Sequence, residues 1–187
     1  MNIYGRILKA FGWKVNITAP DYPKLIICVA PHTSNWDFIL CKLAYAAVAR
    51  HAGFMMKSSW FFPPLGWIFK AIGGIPVKRK KGGQSLTQTV VEKFRDTDRL
   101  QIAITPEGTR SRTDRWHTGF LHIAHEAGIP IELGVIDFRT KTITLDTVFH
   151  TTGDTDADMH QIKAFYRALD PQGRRPHLFS TDEPKAE

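Results

Sequence analysis

Apolar positions along the chain switch between two spacings, and the switches mark out alternating strands and helices. Ile3, Tyr4, Ile7, Leu8 and Phe11 recur at helical spacing, with Arg6 and Lys9 elsewhere around the turn, so residues 2–13 predict a basic amphipathic helix. Residues 25–30 (LIICVA) form an unbroken apolar run closed by Pro31, the pattern of a buried strand. Ser34 or Asn35 can cap a helix that runs through the Ala-rich stretch to about residue 52. Residues 54–56, 75–78 and 100–105 predict further strands, residues 84–95 and 118–127 further helices, and residues 130–137 and 142–149 a strand pair. Asp154 is placed to cap a last helix over 156–169. Residues 60–72 (WFFPPLGWIFKAI) hold five aromatics, and Pro63 and Pro64 break any single helix there.

Strands alternating with helices, without a repeat or a linker, predict one α/β domain with its sheet sandwiched by helices. The expected organisation is an N-terminal amphipathic segment at 1–16, a domain over 17–170, and a charged, proline-bearing and mobile tail over 171–187. A chain of 187 residues that is 43% apolar suits a single core of that size. The longest apolar run, seven residues at 43–49, falls short of the roughly 20 a spanning helix needs. No segment combines a basic start, an apolar stretch and a small-residue cleavage site, and Cys28 and Cys41 sit in apolar surroundings, so a reducing, cytoplasmic setting is expected.

Charge changes the picture. Residues 1–95 carry 14 Lys/Arg against three acids, whereas residues 96–187 carry 11 against 15. A basic half suits a densely anionic partner: lipid headgroups, nucleic acid or a phosphorylated substrate.

Three segments could carry chemistry. His32 and Asp37 lie just past the first buried strand, where side chains project into a crevice at the sheet edge. Five residues of straight helix would leave Asp37 about 140° around from His32, so the two can meet only if His32 sits in the loop before the helix. A carboxylate on one imidazole nitrogen would then fix the tautomer and leave the other as a general base. Thr105-Pro106-Glu107-Gly108-Thr109-Arg110-Ser111 also follows a buried strand, and its glycine, turn amides and arginine suit a phosphate. Gly73 to Lys81 ends in four consecutive cations, which could grip a phosphate or form a solvated face.

Taken together, these segments resemble the motifs of the glycerolipid acyltransferase family, which includes the lysophosphatidic acid acyltransferases. His32 and Asp37 match its His-x4-Asp motif, Gly74 to Arg79 its second motif, Pro106 to Ser111 its third, and Gly128-Ile129-Pro130-Ile131 its fourth, in family order across residues 25–137. The resemblance implies a single α/β domain with a mixed central sheet flanked by helices. It implies transfer of a fatty acyl group from acyl-CoA or acyl carrier protein to a lysophospholipid hydroxyl, lysophosphatidic acid first. His32 would be the base and Asp37 its support. Arg79 and Arg110 would hold the acceptor phosphate, with Glu107, Gly108 and Thr109 completing the binding site, Glu107 orienting Arg110 or the acceptor, and amides near Gly108 facing the oxyanion. No metal or cofactor beyond the acyl carrier is required. Pro76 and Lys78 depart from the second motif, which often has an aromatic and an acid there.

The expected location is the cytoplasmic face of an anionic membrane, held by the N-terminal helix, the basic half and the aromatics at 60–69. Two other functions fit the same residues: an acyl thioesterase that uses water, and a non-enzymatic basic module binding membrane or nucleic acid. Nucleic acid is not expected as a partner, because no recognition-helix, zinc-finger or RNA-binding signature is present. His117, His122 and His125 lack ligands to complete a zinc site, and Asp154, Asp156 and Asp158 suit helix capping better than a calcium loop.

Overall fold

The computed structural model describes residues 2–77 and 85–182. Helix α1 (Ile3–Ala10) is followed by β1 (Lys14–Ile17), β2 (Lys24–Ala30), α2 (Asn35–Ala47), β3 (Gly53–Lys57), α3 (Leu65–Ala71) and β4 (Gly74–Val77). Then come α4 (Leu86–Asp96), β5 (Leu100–Ile104), α5 (Gly119–Ala127), β6 (Ile131–Asp137), β7 (Thr142–Phe149) and α6 (Thr155–Leu169), with single 3-10 turns at Ser58–Trp60 and Pro176–Leu178. One sheet holds all seven strands in the order β1-β7-β6-β2-β5-β3-β4. Adjacent strands are parallel except in the β6–β7 hairpin, so the domain is the mixed α/β sheet flanked by helices that the sequence predicted.

Strand β2 shows why its run is apolar throughout. Ile26, Cys28 and Ala30 face a core shared with α4, α5 and α6, while Leu25, Ile27 and Val29 face a second core under α1 and α2. A strand buried on both faces needs no polar alternation. Because β2, β5 and β6 run parallel side by side, their carboxyl ends open on one edge.

Three expectations need correction. The helix predicted to reach residue 52 ends at Ala47, where Ala49 turns left-handed at φ 59° and the Arg50 N–H returns to the Tyr45 carbonyl at 2.9 Å. That turn lets Ala52 enter the core ahead of β3. Strand β1 was not predicted; its four residues pair with β7, straddle the expected boundary at residue 16, and are too short to declare a period. The stretch after Pro171 packs on the domain over its described part: the Trp116 indole donates to Ser180 O at 3.1 Å and Lys163 Nζ to Asp182 O at 2.7 Å. Asp154 caps α6 as expected, accepting from the N–H groups of Asp156 and Ala157 at 3.1 and 3.0 Å.

Candidate active site

His32 lies two residues past β2, in the loop before α2, the placement its pairing with Asp37 requires. Ser34 takes the N-cap in extended backbone, and Asp37 reaches back three residues to the Ser34 N–H at 2.7 Å. The same Oδ2 accepts from the Thr33 N–H at 2.7 Å, and Oδ1 accepts from the Ser34 hydroxyl at 2.7 Å. Three bonds therefore fix a carboxylate that is only 2% exposed. His32 Nδ1 faces Asp37 Oδ2 at 3.4 Å, longer than a formed hydrogen bond, and that nitrogen is otherwise unpartnered among the described residues. Such contacts are often long in an unliganded site and shorten when substrate is bound. With Nδ1 turned to Asp37, Nε2 is the ring nitrogen left to take a proton.

The β5 loop comes to the same edge because β5 pairs with β2 in the register Cys28 to Ile104. Glu107, three residues on, is 2% exposed, and its Oε1 accepts the His32 backbone N–H at 2.6 Å. Burial, and then the negative charge of Asp37, push its carboxyl up to about 7 against the pull of that hydrogen bond. Gly108 has φ +64°, which favours glycine, and a Cβ there would fall 2.3 Å from His117 Cδ2 and displace that exposed ring. The Gly108 N–H is spent on Thr105 O at 3.0 Å, which removes that amide as an oxyanion donor. Thr109 is exposed, and its hydroxyl accepts the Ser111 N–H at 3.2 Å. Arg110 turns its Nη1 to Asn35 Oδ1 in the first turn of α2, while Glu107, expected to orient Arg110 or the acceptor, binds the His32 N–H.

The structure thus brings His32, Asp37, Glu107, Gly108, Thr109 and Arg110 to one edge of the sheet. Arg79 lies outside the described residues. Neither cysteine is poised as a nucleophile: burial raises the Cys28 thiol far above its usual range, and burial with the nearby Asp37 pushes Cys41 up to about 12. Sequence reasoning missed Thr33, which is 1% exposed between His32 and the cap, and His117, whose ring lies against the Gly108 turn. A buried threonine inside a polar run carries no signal of its own in one sequence.

A histidine facing a buried carboxylate at the carboxyl edge of an α/β sheet is an arrangement able to move a proton. The chain belongs to the Acyltransferase family, whose model matches residues 14–132, and it is an acyltransferase. No curated protein matches it by sequence. Among solved structures it is similar to the crystal structure of the 1-acyl-sn-glycerophosphate (LPA) acyltransferase PlsC from Thermotoga maritima. That match has a TM-score of 0.59 at 16% identity and covers 92% of this chain and 78% of the other, a likeness of fold.

Proposed function

We propose that the protein transfers a fatty acyl group from an acyl thioester, acyl-CoA or acyl carrier protein, to a free hydroxyl of a lysophospholipid, lysophosphatidic acid first. The carrying observation is the buried Asp37 facing His32 Nδ1. His32 Nε2 takes the hydroxyl proton as the alkoxide oxygen attacks the thioester carbonyl. The tetrahedral intermediate collapses with loss of the thiolate, which takes the proton back from the imidazolium that Asp37 has stabilised. Arg110, with Arg79 as the second cation, holds the acceptor phosphate. Such positioning contributes several kcal/mol when the geometry is right. The named activity of the Thermotoga maritima protein supports a phosphorylated glycerolipid as acceptor.

The acceptor is a lipid, and the surface suits one. On α1, Gly5 and Leu8 turn inward while Ile3, Tyr4, Ile7 and Phe11 stay exposed. In the aromatic stretch Phe61 and Phe69 pack on each other, whereas Trp60, Phe62 and Trp67 are 54, 50 and 69% exposed. Among the described residues no helix is long and apolar enough to cross a membrane. The proposal includes a peripheral seat on an anionic inner leaflet, with each cation near the surface contributing about 1 kcal/mol. Co-sedimentation should require anionic vesicles, weaken in high salt and drop when Trp60 and Trp67 become serine. Protein that stays in the supernatant at low salt removes the membrane from the proposal.

The activity is tested by an acceptor screen with radiolabelled acyl thioester, read as lipid products. Labelled phospholipid formed only with a phosphorylated lysolipid supports the proposal. Carrier release at full rate without acceptor makes the protein a thioesterase instead.

A further inference from the structure

Residues 171–182 run across the site from the end of β6 to the loop that follows Arg110. Gln172 ties the near end, its carbonyl accepting the Phe138 N–H at 2.8 Å and its own N–H reaching Asp137 Oδ1 at 3.3 Å. The far end is held where Trp116 donates to Ser180 O at 3.1 Å, Arg112 to Asp182 Oδ2 at 2.8 Å, and Lys163 to the carbonyls of Asp114 and Asp182 at 2.8 and 2.7 Å.

Between these anchors the segment presses on the loop that carries His32. Gly173 passes so close that an added Cβ would stand 2.7 Å from Thr33 Oγ1, 2.9 Å from Thr33 Cγ2 and 3.1 Å from Pro31 Cβ. The Arg175 N–H donates to Thr33 Oγ1 at 3.2 Å, and the Arg174 guanidinium lies over Trp36, 5.5 Å from the ring centroid. Thr33 is therefore gripped from two sides: its backbone N–H by Asp37 and its hydroxyl by the crossing segment. The family match ends at residue 132, well before this segment begins.

We infer that residues 173–175 form a positioning strap that fixes the His32 loop through Thr33 and so sets the aim of His32 on Asp37. The inference rests on the acyl-transfer reading for its kinetic consequence. A loop between strand and helix has no hydrogen-bonded ladder to hold it; Glu107 holds the His32 N–H and Asp37 the Thr33 and Ser34 N–H groups, all on the backbone, and the strap adds the hold on the Thr33 side chain. A misplacement of about 1 Å at a reacting group costs on the order of a hundredfold in rate. Thr33 and Gly173 are positioning residues, acting through His32 rather than on substrate.

The test uses the full chain with Thr33→Val, Thr33→Ser, Gly173→Ala, the double variant Gly173→Ala/Thr33→Ser, and Arg174→Ala. Two quantities are read: kcat and acceptor KM for acyl transfer, and the titration of the His32 imidazole by NMR. Thr33→Val loses the acceptor for Arg175, and Gly173→Ala pushes the strap away. Each should lower kcat roughly ten- to a hundredfold with acceptor KM little changed. Thr33→Ser keeps the acceptor and should retain most of the rate. In the double variant the contact with Cγ2 at 2.9 Å is gone, but the hydroxyl oxygen at 2.7 Å and Pro31 Cβ at 3.1 Å stay, so most of the Gly173→Ala loss should remain. Arg174→Ala, at an exposed position, leaves the fold intact and should lower kcat by a smaller factor. The His32 titration midpoint should move in Thr33→Val and Gly173→Ala and return towards wild type in Thr33→Ser. That readout needs no turnover, so a wild-type protein inactive on every acyl thioester would end the transfer reading while the strap is still judged. Wild-type kcat with an unmoved His32 titration in folded Gly173→Ala and Arg174→Ala overturns the strap. If Thr33→Val or Gly173→Ala fails to fold, the two readings on Arg174→Ala decide.

Discussion

Two buried glutamates stand at opposite ends of the same sheet, and their partners differ. Glu132, second residue of β6, is 1% exposed, accepts the Tyr45 hydroxyl proton, and lies 3.7 Å from Arg50 Nη1. Arg50 reaches on to Asp21 at 3.7 Å and donates to Ala19 O at 2.8 Å, so the acid ties α2 to β6 and to the segment before β2. Burial raises the Glu132 carboxyl, while the Tyr45 hydrogen bond and the Arg50 charge draw it back. Glu107, at the carboxyl end of β5, receives one backbone N–H and faces the like charge of Asp37. Burial thus raises both acids, but at one end a hydroxyl and a guanidinium draw the value part of the way back, and at the other an acid is held up near 7 beside a histidine. A raised acid beside a histidine in a loop cluster is typical of sites that do chemistry, whereas one tied to a hydroxyl and a guanidinium between elements fixes packing.

The comparison breaks most visibly at Asp37. Asp37→Ala strips the Thr33 and Ser34 donors of their acceptor and His32 of its support, so acyl transfer should fall on the order of a hundredfold or more. Loss of the α2 cap bonds should also cost about 1–2 kcal/mol in denaturant unfolding. Transfer at the wild-type rate would show that the carboxylate serves the loop and not the histidine.

Glu107 gives the next effect, in stability against pH. Its folded-state value near 7 stands above the ordinary carboxylate value of 4.5, so the protonated form favours the fold. That stabilisation is complete below about pH 4.5 and is lost as pH rises through 7, a change on the order of 3 kcal/mol. Glu107→Gln keeps an oxygen for the His32 N–H but cannot ionise, and should flatten this slope in urea titrations from pH 4.5 to 7.5. An identical slope in the variant would place the titrating group elsewhere.

At the opposite end the effect is smaller and confined to stability. Tyr45→Phe leaves Glu132 without its hydroxyl donor and should cost about 1–3 kcal/mol with kcat unchanged. A loss of kcat at unchanged acceptor KM would mean that the two ends communicate through α2.

Much of the fold was legible because its signals are local and strong. The apolar run of β2 and the Ser34 and Asp154 caps each act over a few residues. Strand β1 escaped because four residues at a sheet edge hold too few positions to show alternation. Within the site, His32 and Asp37 could be read because helix geometry limits how two side chains five residues apart can meet. Glu107 was expected to orient Arg110 or the acceptor, and the β2–β5 register sets it on the His32 backbone, a contact across 75 residues that one sequence does not show. The hold of Gly173 and Arg175 on Thr33 spans 140 residues or more, a distance over which one sequence carries no pattern.

The central claim is that His32 is the base for acyl transfer at this edge of the sheet. Single-turnover transfer of a labelled acyl group from acyl-CoA to lysophosphatidic acid, wild type against His32→Ala, tests it most directly. With circular dichroism unchanged, the variant should lose roughly 10²–10⁴-fold in rate. Transfer by His32→Ala at a rate close to wild type would contradict the claim.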